Sequence, residues 1–106
     1  MTQFDVHRNA GSHQATIPFV VIVQSSLYED YRRRVVVPLV RRDALGAIAE
    51  PALNPIFSIQ GMDVVLHPLE IVSIPCGQLG VRVGSLSDSG DDIIRALDQL
   101  LSRTAR

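Results

Sequence analysis

Two short runs constrain the fold of this chain more than any other feature. Thr16 to Gln24 (TIPFVVIVQ) and Arg33 to Leu39 (RRVVVPL) are dense in β-branched and aliphatic residues, and both are bounded by polar, turn-forming segments. Apolar runs of this length suit strands, because a helix needs about ten or more residues to make its stripe, and Val and Ile favour a pleated backbone. The first run reads as a buried strand with Pro18 near its start, where a missing backbone donor is tolerated. In the second, the valines form the strand core and Pro38 closes its pairing.

Weaker signals fill in the rest. Gln3 to His7 (QFDVH) alternates polar and apolar, the period of a half-buried strand. RNAGSHQA and SSLYEDY are loops. Ile56 to Gln60 and Met62 to His67 form a hairpin through Gly61. Leu69 to Pro75 and Leu79 to Val83 complete a mostly antiparallel set, the latter with Leu79, Val81 and Val83 inward. Arg41 to Glu50 (RRDALGAIAE) puts Leu45, Ile48 and Ala49 on one side, which predicts a short helix stopped by Pro51. Gly77, Gly80 and Gly84 do not match GxGxxG and read as turn residues.

The C-terminal segment SDSGDDIIRALDQLLSRTAR is the clearest helix. Ser89 and Asp92 approximate a capping box. Asp91 and Asp92 sit at the positive end of the helix dipole, with Arg103 and Arg106 near the negative end. Ile93, Ile94, Leu97, Leu100 and Leu101 form an apolar stripe at helical spacing. One helix after a run of strands makes this an α+β chain, a small twisted antiparallel sheet or open barrel with the C-terminal helix packed on it. Its 106 residues predict a single domain, 1–106, which buries roughly two-thirds of the unfolded chain's surface.

Composition excludes several kinds of chemistry. A net charge of -1 supplies no global field for nucleic acid or an anionic membrane. Cys76 is the single cysteine, so there is no intrachain disulfide and no cysteine cage for a metal. The N-terminus lacks the pattern of a signal peptide, and the longest apolar run, Ile17 to Val23, is too short to span a bilayer. A cytoplasmic location is expected. His7, His13 and His67 are scattered and read as surface or strand histidines, and no GxSxG elbow or base beside Cys76 points to a nucleophile. No cofactor or metal is implied.

The arginines remain. Arg32, Arg33, Arg34, Arg41 and Arg42 place five guanidinium groups within eleven residues. Strand alternation sends Arg32 and Arg34 to one face and Arg33 to the other. They read either as a solvated strand start, pairing Glu29, Asp30 and Asp43, or as a patch that meets phosphate or carboxylate.

The segments, in order, resemble the CcdB family of toxins from plasmid and chromosomal toxin–antitoxin modules. The residues that carry the resemblance are QFDV at the start, FVVIVQS at 19–25, RRVVVPL at 33–39, LNP at 53–55, SIP at 73–75 and IIRALDQLL in the terminal helix. The resemblance implies a homodimer of SH3-like sheets, each closed by the C-terminal helix. It implies a binding protein with no reaction of its own, which wedges into the A subunit of DNA gyrase and traps the enzyme on cleaved DNA. The positions that match the gyrase-facing surface are Ser25, Leu27 and Tyr28 in one loop, and Asp98, Leu101, Ser102, Arg103 and Thr104 at the helix end. An antitoxin with a disordered tail would fold on the toxin, and the loop holding Arg8, Asn9, His13 and Gln14 matches part of the face it meets.

The chain departs from the pattern at one point. The gyrase-poisoning toxins end in Trp, Gly, Ile, whose indole stacks on a gyrase arginine, and this chain has Ser102, Arg103 and Thr104 there. Two alternatives therefore stand beside gyrase poisoning. One is a binding module on the same fold that has lost the poisoning activity. The other is an endoribonuclease like the MazF and Kid toxins, with His or Arg assisting cleavage. The resemblance also gives Arg33 and Arg34 a use, that of anchoring the loop that carries Leu27 and Tyr28.

Overall fold

A computed structural model of the chain describes residues 1–48 and 50–102. Among these, seven strands form one sheet: β1 (Asp5–Arg8), β2 (Phe19–Ile22), β3 (Arg33–Arg41), β4 (Ile56–Ile59), β5 (Met62–Leu66), β6 (Val72–Pro75) and β7 (Arg82–Ser85). Helix α1 (Gly90–Leu101) follows them. The order is β4-β5-β3-β2-β1-β7, with β6 also paired to β3, and every pairing is antiparallel. The result is a curled half-barrel with one C-terminal helix, an α+β fold as the element pattern predicts.

Both faces of β2 and β3 are covered, which is why their sequences are continuous apolar runs and not alternating ones. Phe19, Val21, Val37, Leu39, Val64 and Leu66 meet Ile93 and Ala96 of α1 in the larger core. Val20, Ile22 and Val36 point the other way, and Ile74 and Leu79 pack on them. Each such side chain, fully buried, contributes roughly 1.5–3 kcal/mol.

β3 is the spine of the sheet. Its first half, Arg33 to Val36, pairs with β6, and its second half, Leu39 to Arg41, pairs with β5. The expectation that Pro38 closes the pairing is corrected: it sits at the handover between the two partners, and the strand runs on to Arg41. The Pro38 carbonyl accepts from the His67 amide on that edge at 3.1 Å, so its missing N–H faces the gap between β6 and β5, where no ladder bond is lost.

Four further local expectations are corrected. Arg41 to Glu50 is not a helix: Arg41 still belongs to β3, only Arg42–Ala44 makes a 3-10 turn, and Leu45 is already extended. A segment this short, broken by Gly46 and stopped by Pro51, lacks the length to nucleate a helix of its own; Ala49 lies outside the described residues. Leu79, Val81 and Val83 do not share a face, because β7 starts only at Arg82. Leu79 covers the far side of the sheet, Val83 joins the larger core and Val81 is 71% exposed.

Gly80 and Gly84 are not simple turn residues: Gly84 lies within β7, and a Cβ on Gly80 would run into the backbone of Arg8. Gly77 lies in the 3-10 turn Cys76–Gln78. Finally, Ser89 makes no side-chain cap bond, because the 3-10 turn Ser87–Ser89 runs straight into α1 and occupies the capping position with backbone.

Candidate functional site

The loop from Ser25 to Tyr31 is built inside out. Ser25 Oγ accepts the Leu27 amide at 3.2 Å and starts a 3-10 turn, Ser26–Tyr28. The Gln24 amide then bridges loop and sheet, accepting from Val35 N at 2.9 Å and donating to the Tyr28 carbonyl at 2.9 Å. Behind it sits Arg34, 4% exposed. Its guanidinium donates to the carbonyls of Tyr31 (2.5 Å), Arg33 (2.9 Å), Met1 (3.4 Å) and Glu29. A buried cation is costly unless its donors are satisfied, and here backbone carbonyls satisfy them.

Alternation across β3 explains the placement. Arg34 turns in while Arg33 stays exposed and holds Ser73 of β6 through Nε to Oγ (2.8 Å) and Nη2 to the carbonyl (2.7 Å). Arg32, expected on the face of Arg34, precedes the strand and is exposed. Ion pairing with Asp43 is made by Arg41, at 2.6 Å, whereas Glu29 offers Arg34 its carbonyl and not its carboxylate.

With the loop's backbone tied down, its apolar side chains face solvent. Leu27 is 86% exposed, Tyr28 49% and Tyr31 65%, and the two tyrosine rings meet edge to face at 5.6 Å. On α1 the apolar positions divide between two faces. Ile93 and Ala96 are buried, with Leu97 and Leu100 half-buried, while Ile94 and Leu101 point outward with Asp98. The expectation of one stripe is corrected here, because Ile94 lies a full 100° around the helix from Ile93. Ser102 follows the helix, exposed, with its amide on the Gln99 carbonyl at 3.4 Å. Arg103 and Thr104 lie outside the described residues.

The loop from Arg8 to Gln14 borders a groove of about 370 Å³. Arg8, Asn9 and His13 line it, over an apolar floor that includes Val20, Val36 and Leu79. Asn9 organises the loop: its amide donates to the carbonyls of Ser12 (2.9 Å) and Ile17 (2.8 Å), and its oxygen accepts from Gly11 N (2.9 Å). Gln14 donates to the Gly11 carbonyl at 2.9 Å. Arg8 lies over the Phe19 ring at 5.9 Å and donates to Gln60 at 3.2 Å.

Three polar side chains among the described residues are buried, which the sequence did not show. Arg34 is one. His7 is another, 4% exposed, with Nδ1 donating to the Gly80 carbonyl at 2.8 Å and Nε2 buried with no partner among the described residues. Asp5 is the third, 3% exposed, with Arg82 Nε at 3.3 Å. Alternation puts Asp5 and His7 on the face opposite the core residue Val6, which a half-buried strand leaves to solvent, so their burial was not legible in the local pattern. Among the described residues no group of His, Cys, Asp and Glu could hold a metal ion, and no helix is long and apolar enough to cross a membrane.

This curled sheet closed by a C-terminal helix, carrying a fastened loop with exposed apolar residues, has the form expected of a toxin of a toxin–antitoxin module. The chain belongs to the CcdB family: the family profile, described as CcdB protein, matches residues 3–102. Among curated proteins none matches the sequence. Of solved structures, an endoribonuclease in complex with its cognate antitoxin from a mycobacterial species shares the fold with a TM-score of 0.74. Identity is 15%, over 100% of this chain and 99% of that one. A mycobacterial endoribonuclease has a TM-score of 0.71 at 15% identity, over 100% of this chain and 95% of that one. These names overturn one expectation: a protein with no reaction of its own can no longer be assumed on this fold, since these two structures are named as endoribonucleases.

Proposed function

We propose that residues 1–106 form the toxin domain of a type II toxin–antitoxin module, and that its target is the A subunit of DNA gyrase, held on cleaved DNA. The observation that carries this is the loop of Ser25, Leu27 and Tyr28, which displays apolar side chains to solvent on a tied backbone in a chain of the CcdB family. Asp98, Leu101, Ser102, Arg103 and Thr104 would extend that surface in the homodimer. A cognate antitoxin would lie along Arg8, Asn9, His13 and Gln14, where the groove offers an apolar floor with a polar rim that includes the Arg8 cation to a segment that folds on binding. One of the solved structures similar in fold is an endoribonuclease in complex with its cognate antitoxin.

RNA cleavage is the second reading, favoured by the two endoribonuclease structures that match the chain over its whole length. Arg8 and His13 lie on one groove and would be the first candidates for stabilising charge and moving a proton at the phosphate.

Expression in the source cell without antitoxin, with DNA cleavage and RNA integrity read together, tests both. Gyrase-linked DNA breaks with intact RNA carry the first reading. Fragmented RNA, abolished by Arg8→Ala or His13→Ala, carries the second, and unimpaired growth with neither lesion defeats both. A chain stopped after Leu101 that still breaks DNA would show that the tail from Ser102 onward is dispensable.

A further inference from the structure

We infer that the Ser25–Tyr31 loop is preset for docking before any partner arrives, and that Arg34 and Gln24 are the positioning residues that hold it; this rests on the reading of that loop as target-facing. An ordinary surface loop leaves its backbone polar groups to water and is mobile. Here the carbonyls of Ser25, Ser26, Tyr28, Glu29 and Tyr31 are claimed from within the chain. Ser25 O accepts from Tyr28 N at 3.0 Å, Tyr28 O from Tyr31 N at 3.2 Å and from Gln24 Nε2, and Glu29 O and Tyr31 O from Arg34. The next carbonyl, Arg32 O, accepts from Cys76 N at 2.9 Å.

With the carbonyls drawn inward, Leu27 and the two tyrosine rings face out. The ordering entropy of the loop is thus spent during folding and not at encounter, which is the advantage of a pre-organised binding surface. Leu27 and Tyr28 are followed by the exposed Glu29 and Asp30. A protein face with an apolar recess beside a basic side chain fits this pattern better than a phosphate backbone, which the carboxylates would repel.

Tyr28 and Tyr31 are the only two tyrosines and the chain has no tryptophan, so its intrinsic fluorescence comes from this loop. In the free wild-type protein, the amides of Leu27, Tyr28 and Tyr31 should exchange slowly with solvent; exchange at the rate of an open chain would overturn the inference. Arg34→Lys and Gln24→Ala should keep a cooperative thermal transition, yet speed the decay of tyrosine anisotropy and weaken binding to a purified gyrase A fragment tenfold or more. Leu27→Ala should weaken binding with the anisotropy decay unchanged. Folded Arg34 and Gln24 variants with the wild-type decay would refute the positioning role. If those variants loosen the loop but wild type does not bind gyrase A, positioning stands and the gyrase reading falls.

Discussion

At the scale of single residues, two glycines do different work. Gly61 follows Gln60 in the β4–β5 turn, with φ of 77° and 52° respectively, the left-handed pair that a two-residue hairpin requires. Gly61→Ala meets no neighbour but must adopt the left-handed backbone, so it should cost about 1–2 kcal/mol. Gly80 has the opposite problem, since its Cβ would meet backbone of Arg8 that no rotamer change can move aside. Gly80→Ala should cost about 1–3 kcal/mol through that overlap. It should also disturb the His7 ring, whose Nδ1 is held by the Gly80 carbonyl. Urea unfolding measures both losses, and the His7 ring resonances should move only in the Gly80 variant.

At the scale of elements, α1 offers adjacent isoleucines with opposite fates. Ile93 is fully buried against the sheet and Ile94 is 39% exposed. Ile93→Ala should therefore destabilise the fold by about 2–5 kcal/mol, and Ile94→Ala by no more than about 0.5 kcal/mol. Thermal unfolding of the two variants checks this, and equal losses would mean that the helix is rotated about its axis. β3 likewise shows how an element can exceed its sequence signal. Pro38 reads locally as a stop, but the strand runs on to Arg41 because the proline falls where β6 yields to β5.

At the scale of the whole molecule, long-range antiparallel pairing dominates, from β1 with β7, the first and last strands, to β3, whose two edges are shared among β2, β5 and β6. Sheets of this kind fold in milliseconds to seconds, because distant segments must meet before any contact rewards them. Refolding followed by tyrosine fluorescence should fall in that range and report the closing of the Ser25–Tyr31 loop. An antitoxin that binds only the folded toxin should raise its stability by about 2.7 kcal/mol when present at a hundred times its Kd. A melting temperature unmoved by added antitoxin would show that the partner does not select the folded state.

Much of this protein was legible in one dimension. The apolar runs at Phe19–Ile22 and Val35–Val37, the hairpin about Gly61 and the period of α1 are local properties, set by side-chain shape and spacing within a few residues. The order of those segments also sufficed for the family. Tertiary structure alone decided which arginine of three is buried, which isoleucine of two faces the core, and where Gly80 touches Arg8. Those outcomes depend on the curvature of the sheet and on strands far apart in sequence. A side chain's worth as core, anchor or exposed contact is settled only when the opposite surface arrives, and no local window of the chain contains that surface.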